Sequence, residues 1–158
     1  MKRVCTSQDL ERIYFIINDA AKAYKGRIPD NCYHEPYMPW EELVAEAARM
    51  TFLGWEEDGQ LVGVMGQEVV HDVTLIRHAY VLTAYQRRGI GAALLGHLRG
   101  FTRTPWLLVG TWADAWSIDF YLKHGFQLMP NKDELLLAYW DVPARQRETS
   151  VVLGKEIG

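Results

Sequence analysis

The stretch YQRRGIGAALL, Tyr85 to Leu95, places two arginines beside two glycines directly before a helical pattern. Gly89 and Gly91 keep the backbone clear of side chains, so successive N–H groups at the start of a helix can surround an anion. The helix dipole favours negative charge at the same point, and two neighbouring arginines can supplement it. We predict an anion-binding turn here. The alternative is a tight strand-to-helix turn with two solvated arginines.

Two common nucleotide-binding glycine loops fit this turn poorly. A P-loop needs a Lys-Ser or Lys-Thr pair after its last glycine, and the sequence contains neither pair. A dinucleotide fingerprint counted from Gly89 needs a third glycine where Leu94 stands and an acid about twenty positions on, where Val109 stands. The first acid downstream is Asp114, which comes late for that role. Both nucleotide interpretations become minor alternatives.

The turn matches the motif Gln/Arg-x-x-Gly-x-Gly/Ala at Gln86, Gly89 and Gly91. In this the sequence resembles the GNAT superfamily of N-acetyltransferases. The resemblance implies that the turn binds the pyrophosphate of acetyl-CoA and that the preceding strand's backbone runs beside the pantetheine arm. The family often has proline where this chain has Thr83, which changes little if the contacts are made by backbone. The implied cofactor-binding residues are Val81, Leu82, Thr83, Gln86, Arg87, Arg88, Gly89, Ile90, Gly91 and Ala92.

A second motif lies in SIDFYLKHGF, residues 117–126. It resembles the family's later helix, in which an aromatic or aliphatic residue and a tyrosine precede Gly-Phe; here these are Phe120, Tyr121, Gly125 and Phe126. The resemblance implies that Tyr121 is a general acid, because the leaving CoA thiolate must be protonated and a phenol, with an ordinary pKa of about 10, can supply that proton. The alternative is a core tyrosine on an amphipathic helix.

Two positions near this motif depart from the family. Asp114 and Ser117 stand where asparagine and alanine are frequent, which puts a cofactor contact by Asp114 in doubt. The thioester carbonyl also needs a hydrogen-bond donor as it gains negative charge. Backbone N–H groups near Val81 can serve if strand pairing is locally broken there, so no side chain is required for that role.

The first part of the chain is predicted to be helical around a long loop. Thr6 to Asp9 resembles a capping box, and the apolar spacing predicts a helix over about residues 7–24, after a short strand around residues 3–5. Residues 25–39 have loop composition. A second helix is predicted from Pro39 to about Met50, with an inward face of Leu43, Val44, Ala47 and Ala48.

The rest of the chain alternates between strand and helix patterns. Asp58-Gly59 between two apolar runs indicates a hairpin. Ile90, Leu94, Leu98 and Phe101 would share one side of a helix that starts at Gly89. Strands are predicted at residues 52–57, 60–68, 73–82, 105–111 and 150–153, a helix at 116–123, and a helical turn or strand at 133–139. The resemblance implies an α/β (α+β) fold with a splayed mixed, mainly antiparallel central sheet flanked by helices, in one domain over residues 1–158.

The acceptor amine must lose a proton, and Glu68, His71, Asp72 and His78 are candidates for the base. None is favoured by the sequence. Strand alternation counted from Val81 puts Arg77 on the cofactor side and His78 on the opposite side, which favours a core histidine.

Acceptor recognition has two candidate sources. Arg77 can bind an acceptor carboxylate bidentately, or it is an ion-paired strand residue. The loop NCYHEPYMPW, residues 31–40, lies where the family builds its acceptor pocket. The candidates there are Tyr33, His34, Glu35 and Tyr37, although a packed loop with buried aromatics explains them equally well.

Composition sets the broad class. A chain of 158 residues with 49% apolar residues can bury one core without disulfides or metal, and a net charge of −3 argues against general nucleic-acid binding. Two cysteines, Cys5 and Cys32, suggest reduced thiols in a cytoplasmic protein, and no second ligand pair accompanies Cys32 and His34, so no metal is expected. No apolar run has signal-peptide or membrane-spanning length, so we expect no membrane association.

These features predict an acetyl-CoA-dependent N-acetyltransferase that transfers acetyl directly to a primary amine, without a covalent enzyme intermediate. The rival is a non-catalytic acyl-CoA-binding or sensing module with the same fold, and an unrelated nucleotide-binding protein is a third interpretation. The acceptor, a small molecule or a peptide, is not identified, because its specificity lies in loops. A homodimer is compatible with the resemblance, although no residue indicates one.

Overall fold

The computed structural model describes residues 1–28, 33–112, 117–140 and 150–157. These residues form an alternating set of helices and strands. The α-helices are α1 (Leu10–Ala21), α2 (Trp40–Ala47), α3 (Ile90–Phe101), α4 (Ser117–Lys123) and α5 (Lys132–Leu135). The strands are β1 (Lys2–Val4), β2 (Thr51–Glu57), β3 (Gln60–Val70), β4 (Val73–Val81), β5 (Trp106–Trp112), β6 (Gln127–Leu128) and β7 (Ser150–Glu156).

The first predicted helix is confirmed and has tighter ends than expected. Ser7–Asp9 and Lys22–Tyr24 are 3₁₀ turns on either side of α1. The capping box is also present: the Gln8 N–H donates to Thr6 Oγ1 at 3.3 Å, and the Thr6 N–H donates to Asp9 Oδ2 at 2.7 Å. These bonds satisfy donors that a helix start would otherwise leave unpaired.

The inward face of α2 differs from the prediction. Leu43 is fully buried as expected, but Val44 is 43% exposed and Glu46 is only 6% exposed. The buried positions are therefore three apart along the helix, and the second of them carries a charge. Glu46 can occupy it because Arg77 and His78 bind its carboxylate, as described below. The predictions for Val44 and Ala48, which is also exposed, were wrong because a hydropathy pattern places no carboxylate in a core.

The sheet follows the strand order β1-β2-β3-β4-β5-β7-β6. The β2–β3 hairpin is confirmed, with φ of 51° at Asp58 and 80° at Gly59 in the turn. The pairs β1–β2, β2–β3, β5–β7 and β6–β7 are antiparallel, whereas β4 and β5 are parallel. The mixed, mainly antiparallel sheet is thus confirmed. The two-residue strand β6 was not predicted, since so short a stretch shows no alternation.

The chain divides into two compact units. The first comprises Met1–Glu68 and Arg77–Thr102, and the second Val69–Ile76 and Arg103–Gly158. In the first unit, Gly63 of β3 lies under the start of α3: a Cβ there would approach Ile90 Cγ2 to 3.0 Å and Val81 Cγ2 to 3.3 Å. The absence of a side chain lets the N-terminus of α3 pack beside the end of β4.

The apolar face of α3 is confirmed in part. Ile90, Leu94 and Leu98 are buried as predicted, Leu95 is buried with them, and Phe101 is 38% exposed at the last turn. Phe101 is the final residue of the helix, where less of the core remains to cover it.

The second unit has its own core. Val73 and Leu75 of β4 pack with Leu108, Leu136 and Val152. The ambiguous segment around residues 133–139 is helical, with α5 followed by a π-helical turn at Leu136–Trp140. Among the described residues, no helix is both long enough and apolar enough to span a membrane.

Candidate active site

The predicted anion-binding turn begins directly after β4. Thr83–Tyr85 form a 3₁₀ turn whose start is held by α1: the Thr83 N–H donates to Asp19 Oδ2 at 2.9 Å. The Gln86 side-chain amide donates back to the Val81 carbonyl at 3.0 Å. Gln86 therefore braces the turn in this structure, and Asp19 is a positioning residue that the sequence pattern did not reveal.

The backbone of the turn prepares the start of α3 for an anion. Arg87 and Gly89 adopt left-handed φ values of 65° and 82°. Gly89 is the residue before the helix, and as glycine it has no side chain to accept from the first N–H groups of α3. Those donors and the positive end of the helix dipole are consequently presented to a ligand rather than to a capping residue.

The two arginines of the turn are exposed. The Arg88 guanidinium lies over the Tyr85 ring, 4.9 Å from its centroid. This cation–π contact holds the Arg88 charge near the turn without neutralising it. Both side chains remain positive and accessible, as an anion site requires.

Strand β4 is broken within the first unit. His78 has φ of 53°, a left-handed value that costs free energy in a residue with a Cβ. The break overturns the predicted alternation: Arg77 and His78 do not lie on opposite sides, since both bind Glu46. One left-handed residue rotates the strand and resets which side each following residue occupies. A local break in β4 was anticipated nearer Val81, and the structure has it at His78.

Glu46 is the centre of a buried polar cluster. Its Oε1 lies 2.8 Å from Arg77 Nη2 and 2.8 Å from His78 Nε2. Burial alone would raise the pKa of Glu46, but the hydrogen bond from His78 and the charges of His78 and Arg77 outweigh burial and lower it. Glu46 is thus held ionised and ties α2 to the break in β4.

Arg77 is also bound by β3. Its Nη1 lies 2.8 Å from Glu68 Oε1, and Arg49 Nε lies 3.4 Å from the other oxygen of Glu68. Both terminal nitrogens of Arg77 are therefore paired with glutamates. The ion-paired alternative for Arg77 describes this structure, and its use in binding an acceptor carboxylate stays a prediction.

The four candidate bases lie in different places. Glu68 pairs with Arg77, and His78 binds Glu46 and stacks on Phe52 with ring centroids 6.4 Å apart. Both belong to the first unit. In the second unit, Asp72 accepts a hydrogen bond from the Tyr139 hydroxyl at 3.1 Å, and the His71 ring is 6.3 Å from that of Tyr139.

The loop before α2 contributes aromatic residues to the first unit. Tyr37 packs on Tyr24 with centroids 5.3 Å apart, on Tyr33 at 6.1 Å and on His34 at 6.4 Å. Tyr24 in turn meets Tyr80 of β4 at 6.3 Å. Glu35 lies 4.0 Å from Lys25. The predicted loop residues Tyr33 and Tyr37 are brought together, and Tyr24 and Tyr80 join them without having been singled out by the sequence.

Tyr121 lies on α4 in the second unit and is 4% exposed. Its ring packs between Phe120, at 5.1 Å, and Phe126, at 5.2 Å. The helix closes at Gly125, with φ of 89° as predicted, and Ser117 Oγ lies 2.9 Å from Thr111 Oγ1. The proposed acid is therefore a buried phenol in an aromatic setting. Asp114, Cys32 and the first residue of the predicted helix at 116–123 lie outside the described residues.

The chain is similar to known proteins both in sequence and in fold. The family model described as "Acetyltransferase (GNAT) family" matches residues 12–126, more than half of the chain. Comparison with curated protein sequences gives no significant match.

Three solved structures illustrate the similarity of this chain in fold. PaiA N-acetyltransferase from Thermoplasma acidophilum, in complex with coenzyme A, has a TM-score of 0.76 and 18% identity over 99% of this chain and 98% of that one. The ribosomal-protein-S18-alanine N-acetyltransferase from Escherichia coli has a TM-score of 0.66 and 19% identity over 100% and 94%.

The third is N-acetylglutamate synthase from Neisseria gonorrhoeae with coenzyme A and N-acetylglutamate. It has a TM-score of 0.68 and 21% identity, and the match covers 100% of this chain and 35% of that one. The TM-scores show a shared fold, and the family model adds a sequence match that includes both motifs. The chain belongs to the GNAT acetyltransferase family.

Proposed function

We propose that this protein is an acetyl-CoA-dependent N-acetyltransferase acting on a primary amine. The observation that carries the proposal is the turn between β4 and α3, where a left-handed glycine precedes an uncapped helix start with two exposed arginines. Such a turn suits a pyrophosphate, because it offers several N–H donors and positive charge at one point.

The residues of the turn fit acetyl-CoA as cosubstrate. The N–H groups of Ile90, Gly91 and Ala92 would hold the pyrophosphate, with Arg87 and Arg88 adding charge. Residues 81–83, which end β4 and enter the turn, would lie beside the pantetheine arm, while Gln86 and Asp19 hold that backbone in place. The bound cosubstrate supplies an activated acetyl group as a thioester. The neighbouring structures solved with coenzyme A support this assignment.

The reaction sets two proton requirements for the chain. Transfer forms an amide C–N bond and breaks the C–S bond of the thioester. The attacking ammonium must first give up a proton, and the leaving sulfur must gain one. We assign the second task to Tyr121, whose phenol can donate at neutral pH, and leave the first among Glu68, His71, Asp72 and His78.

The test of the Tyr121 assignment is release of the free CoA thiol with and without an amine acceptor. Tyr121→Phe removes the phenolic proton and keeps the ring that packs on Phe120 and Phe126. We expect kcat to fall by about 100-fold or more, while the affinity for CoA changes little. Tyr14→Phe, which alters a tyrosine paired with Trp40, is the control and should retain activity. Unchanged kcat in Tyr121→Phe would remove the acid role.

A screen of many different amines distinguishes the proposed enzyme from the rival function, a non-catalytic acyl-CoA-binding module. A panel of small amines, amino acids and peptides with free N-termini should contain at least one acceptor. CoA binding without transfer to any of them would favour the rival.

A further inference from the structure

A continuous set of aromatic and acidic side chains surrounds the break in β4 in the first unit. Tyr80 meets Tyr24, with the two hydroxyl oxygens 3.5 Å apart, and Tyr24 meets Tyr37. Tyr37 stacks on His34, which lies near enough to Glu42 to influence its carboxyl group electrostatically. The contacts thus run from β4 through the 3₁₀ turn after α1 to the loop before α2.

Residues of α2 connect this set of side chains back to β4. Glu42 lies one helical turn before Glu46 on α2, and Glu46 binds His78 at 2.8 Å. His78 and Tyr80 are alternate residues of β4. We call Tyr24, His34, Tyr37, Tyr80, Glu42 and Glu46 the acceptor cluster.

Glu42 stands outside the ion pairs around the acceptor cluster. Glu46 is paired with both Arg77 and His78. Glu42 is exposed and has no lysine or arginine paired with it among the residues that the structure describes. Desolvation by its neighbours and then the charge of Glu46 raise the pKa of Glu42, the expected result for a carboxylate beside a like charge.

Aromatic faces beside a carboxylate recognise cations. Each tyrosine ring presents a negative face, and an ammonium over such a face is attracted to it, more strongly where the site is partly shielded from water. Tyr24, Tyr37 and Tyr80 are all partly buried. An acidic acceptor would be repelled by Glu42, and a neutral one would gain no charge attraction from it.

We propose that the acceptor cluster binds a positively charged group of the acceptor other than the amine that is acetylated, so that the substrate class is diamines, polyamines or basic peptides. The inference rests on the proposed acetyltransferase function. The reacting amine must be neutral when it attacks, so it cannot remain ion-paired with a carboxylate during transfer. A carboxylate that stays ion-paired throughout therefore binds a second, positively charged group of the same acceptor. Glu42 is the residue to which we assign that selection.

The test compares 1,5-diaminopentane with pentylamine as acceptors at saturating acetyl-CoA. We expect kcat/KM to be about tenfold or more higher for the diamine. Glu42→Gln keeps the shape and removes the charge, and it should bring the two amines to similar kcat/KM, mainly by raising KM for the diamine. The matched control is Glu41→Gln, an exposed glutamate on the same helix, which should keep the preference.

The aromatic part of the cluster is tested by a pair of substitutions at one residue. Tyr37→Phe retains the ring face, whereas Tyr37→Leu removes it. We expect KM for the diamine to rise several-fold more in Tyr37→Leu than in Tyr37→Phe. Equal KM values in the two variants would remove Tyr37 from cation recognition.

The outcomes separate this inference from the proposed function. Transfer to both amines without preference, or equal effects of Glu42→Gln and Glu41→Gln, would overturn the inference and leave the acetyltransferase standing. If neither amine is acetylated, calorimetric binding of 1,5-diaminopentane to the CoA-loaded protein decides. Binding that is lost in Glu42→Gln supports the inference alone, and no binding overturns it.

Discussion

Gly89 shows how one residue type fixes the chemistry of the turn. Its φ of 82° is freely available to glycine, whereas a residue with a Cβ adopts it at a cost of about 1 kcal/mol. An added Cβ would meet no atom within 4 Å, so any penalty comes from the backbone conformation and not from crowding. The position therefore allows the conformational requirement to be tested separately from packing.

We predict that Gly89→Ala lowers the affinity for CoA several-fold and lowers the melting temperature slightly, because alanine resists the left-handed turn that aims the N–H groups of α3. Gly96 lies inside α3 and also has open space around it. Gly96→Ala should instead stabilise the helix by about 0.5–1 kcal/mol and leave CoA binding unchanged. Titration calorimetry and thermal unfolding measure both effects. Equal CoA affinity in Gly89→Ala and the wild type would contradict the assignment of the turn.

At the scale of elements, Glu46 connects α2 to β4. Its carboxylate binds the side chains of Arg77 and His78, the residues at which β4 departs from regular alternation. Removing one partner of a buried ion pair leaves the other charges without compensation. The break in β4 is therefore expected to depend on a residue of a different element.

We predict that Glu46→Gln destabilises the protein by about 2–4 kcal/mol, whereas Glu41→Gln changes stability by less than about 0.5 kcal/mol. The effect should depend on pH. Because the folded-state pKa of Glu46 is lowered, its contribution is present above the ordinary glutamate pKa of about 4.3 and is lost as the pH falls through the folded-state value. Chemical unfolding of both variants at pH 7 and at acidic pH measures the difference. A penalty as large at acidic pH as at pH 7 would refute the electrostatic explanation.

Elements with a strong local signal were predictable from sequence, and those set by long-range contacts were not. Apolar spacing, Asp58-Gly59 and the glycine turn placed α1, α3 and the β2–β3 hairpin close to their observed bounds. The left-handed φ of His78 left no trace in the sequence, and the residue that binds His78 there, Glu46, is 32 positions away. Alternation along β4 was therefore misread, and Glu46 was missed although it lies three positions after Leu43 on the same buried face.

The candidate site was predicted unevenly for the same reason. The turn is a local motif, so Gln86, Arg87 and Gly89 were identified from their order alone. The acceptor cluster draws Tyr24, Tyr37, Glu42 and Tyr80 from four separate segments, and no spacing rule connects them. Asp19 likewise reaches Thr83 across 64 positions.

At the scale of the whole molecule, the two compact units together match a protein of nearly the same length. The PaiA structure covers 99% of this chain, which covers 98% of it in return. One acetyltransferase domain over residues 1–158 stays a prediction. The turn after β4 lies in one unit and Tyr121 in the other. The proposed function therefore assigns cosubstrate binding and proton donation to different parts of the chain.

The central claim is that the turn after β4 holds the pyrophosphate of acetyl-CoA. Titration calorimetry with CoA, dephospho-CoA, 4′-phosphopantetheine, ATP and NAD tests it most directly. We predict that CoA and dephospho-CoA bind, that 4′-phosphopantetheine, which lacks the pyrophosphate, binds at least about tenfold more weakly, and that ATP and NAD bind more weakly than CoA. Binding of 4′-phosphopantetheine as tight as that of CoA, or preference for ATP or NAD, would contradict the account.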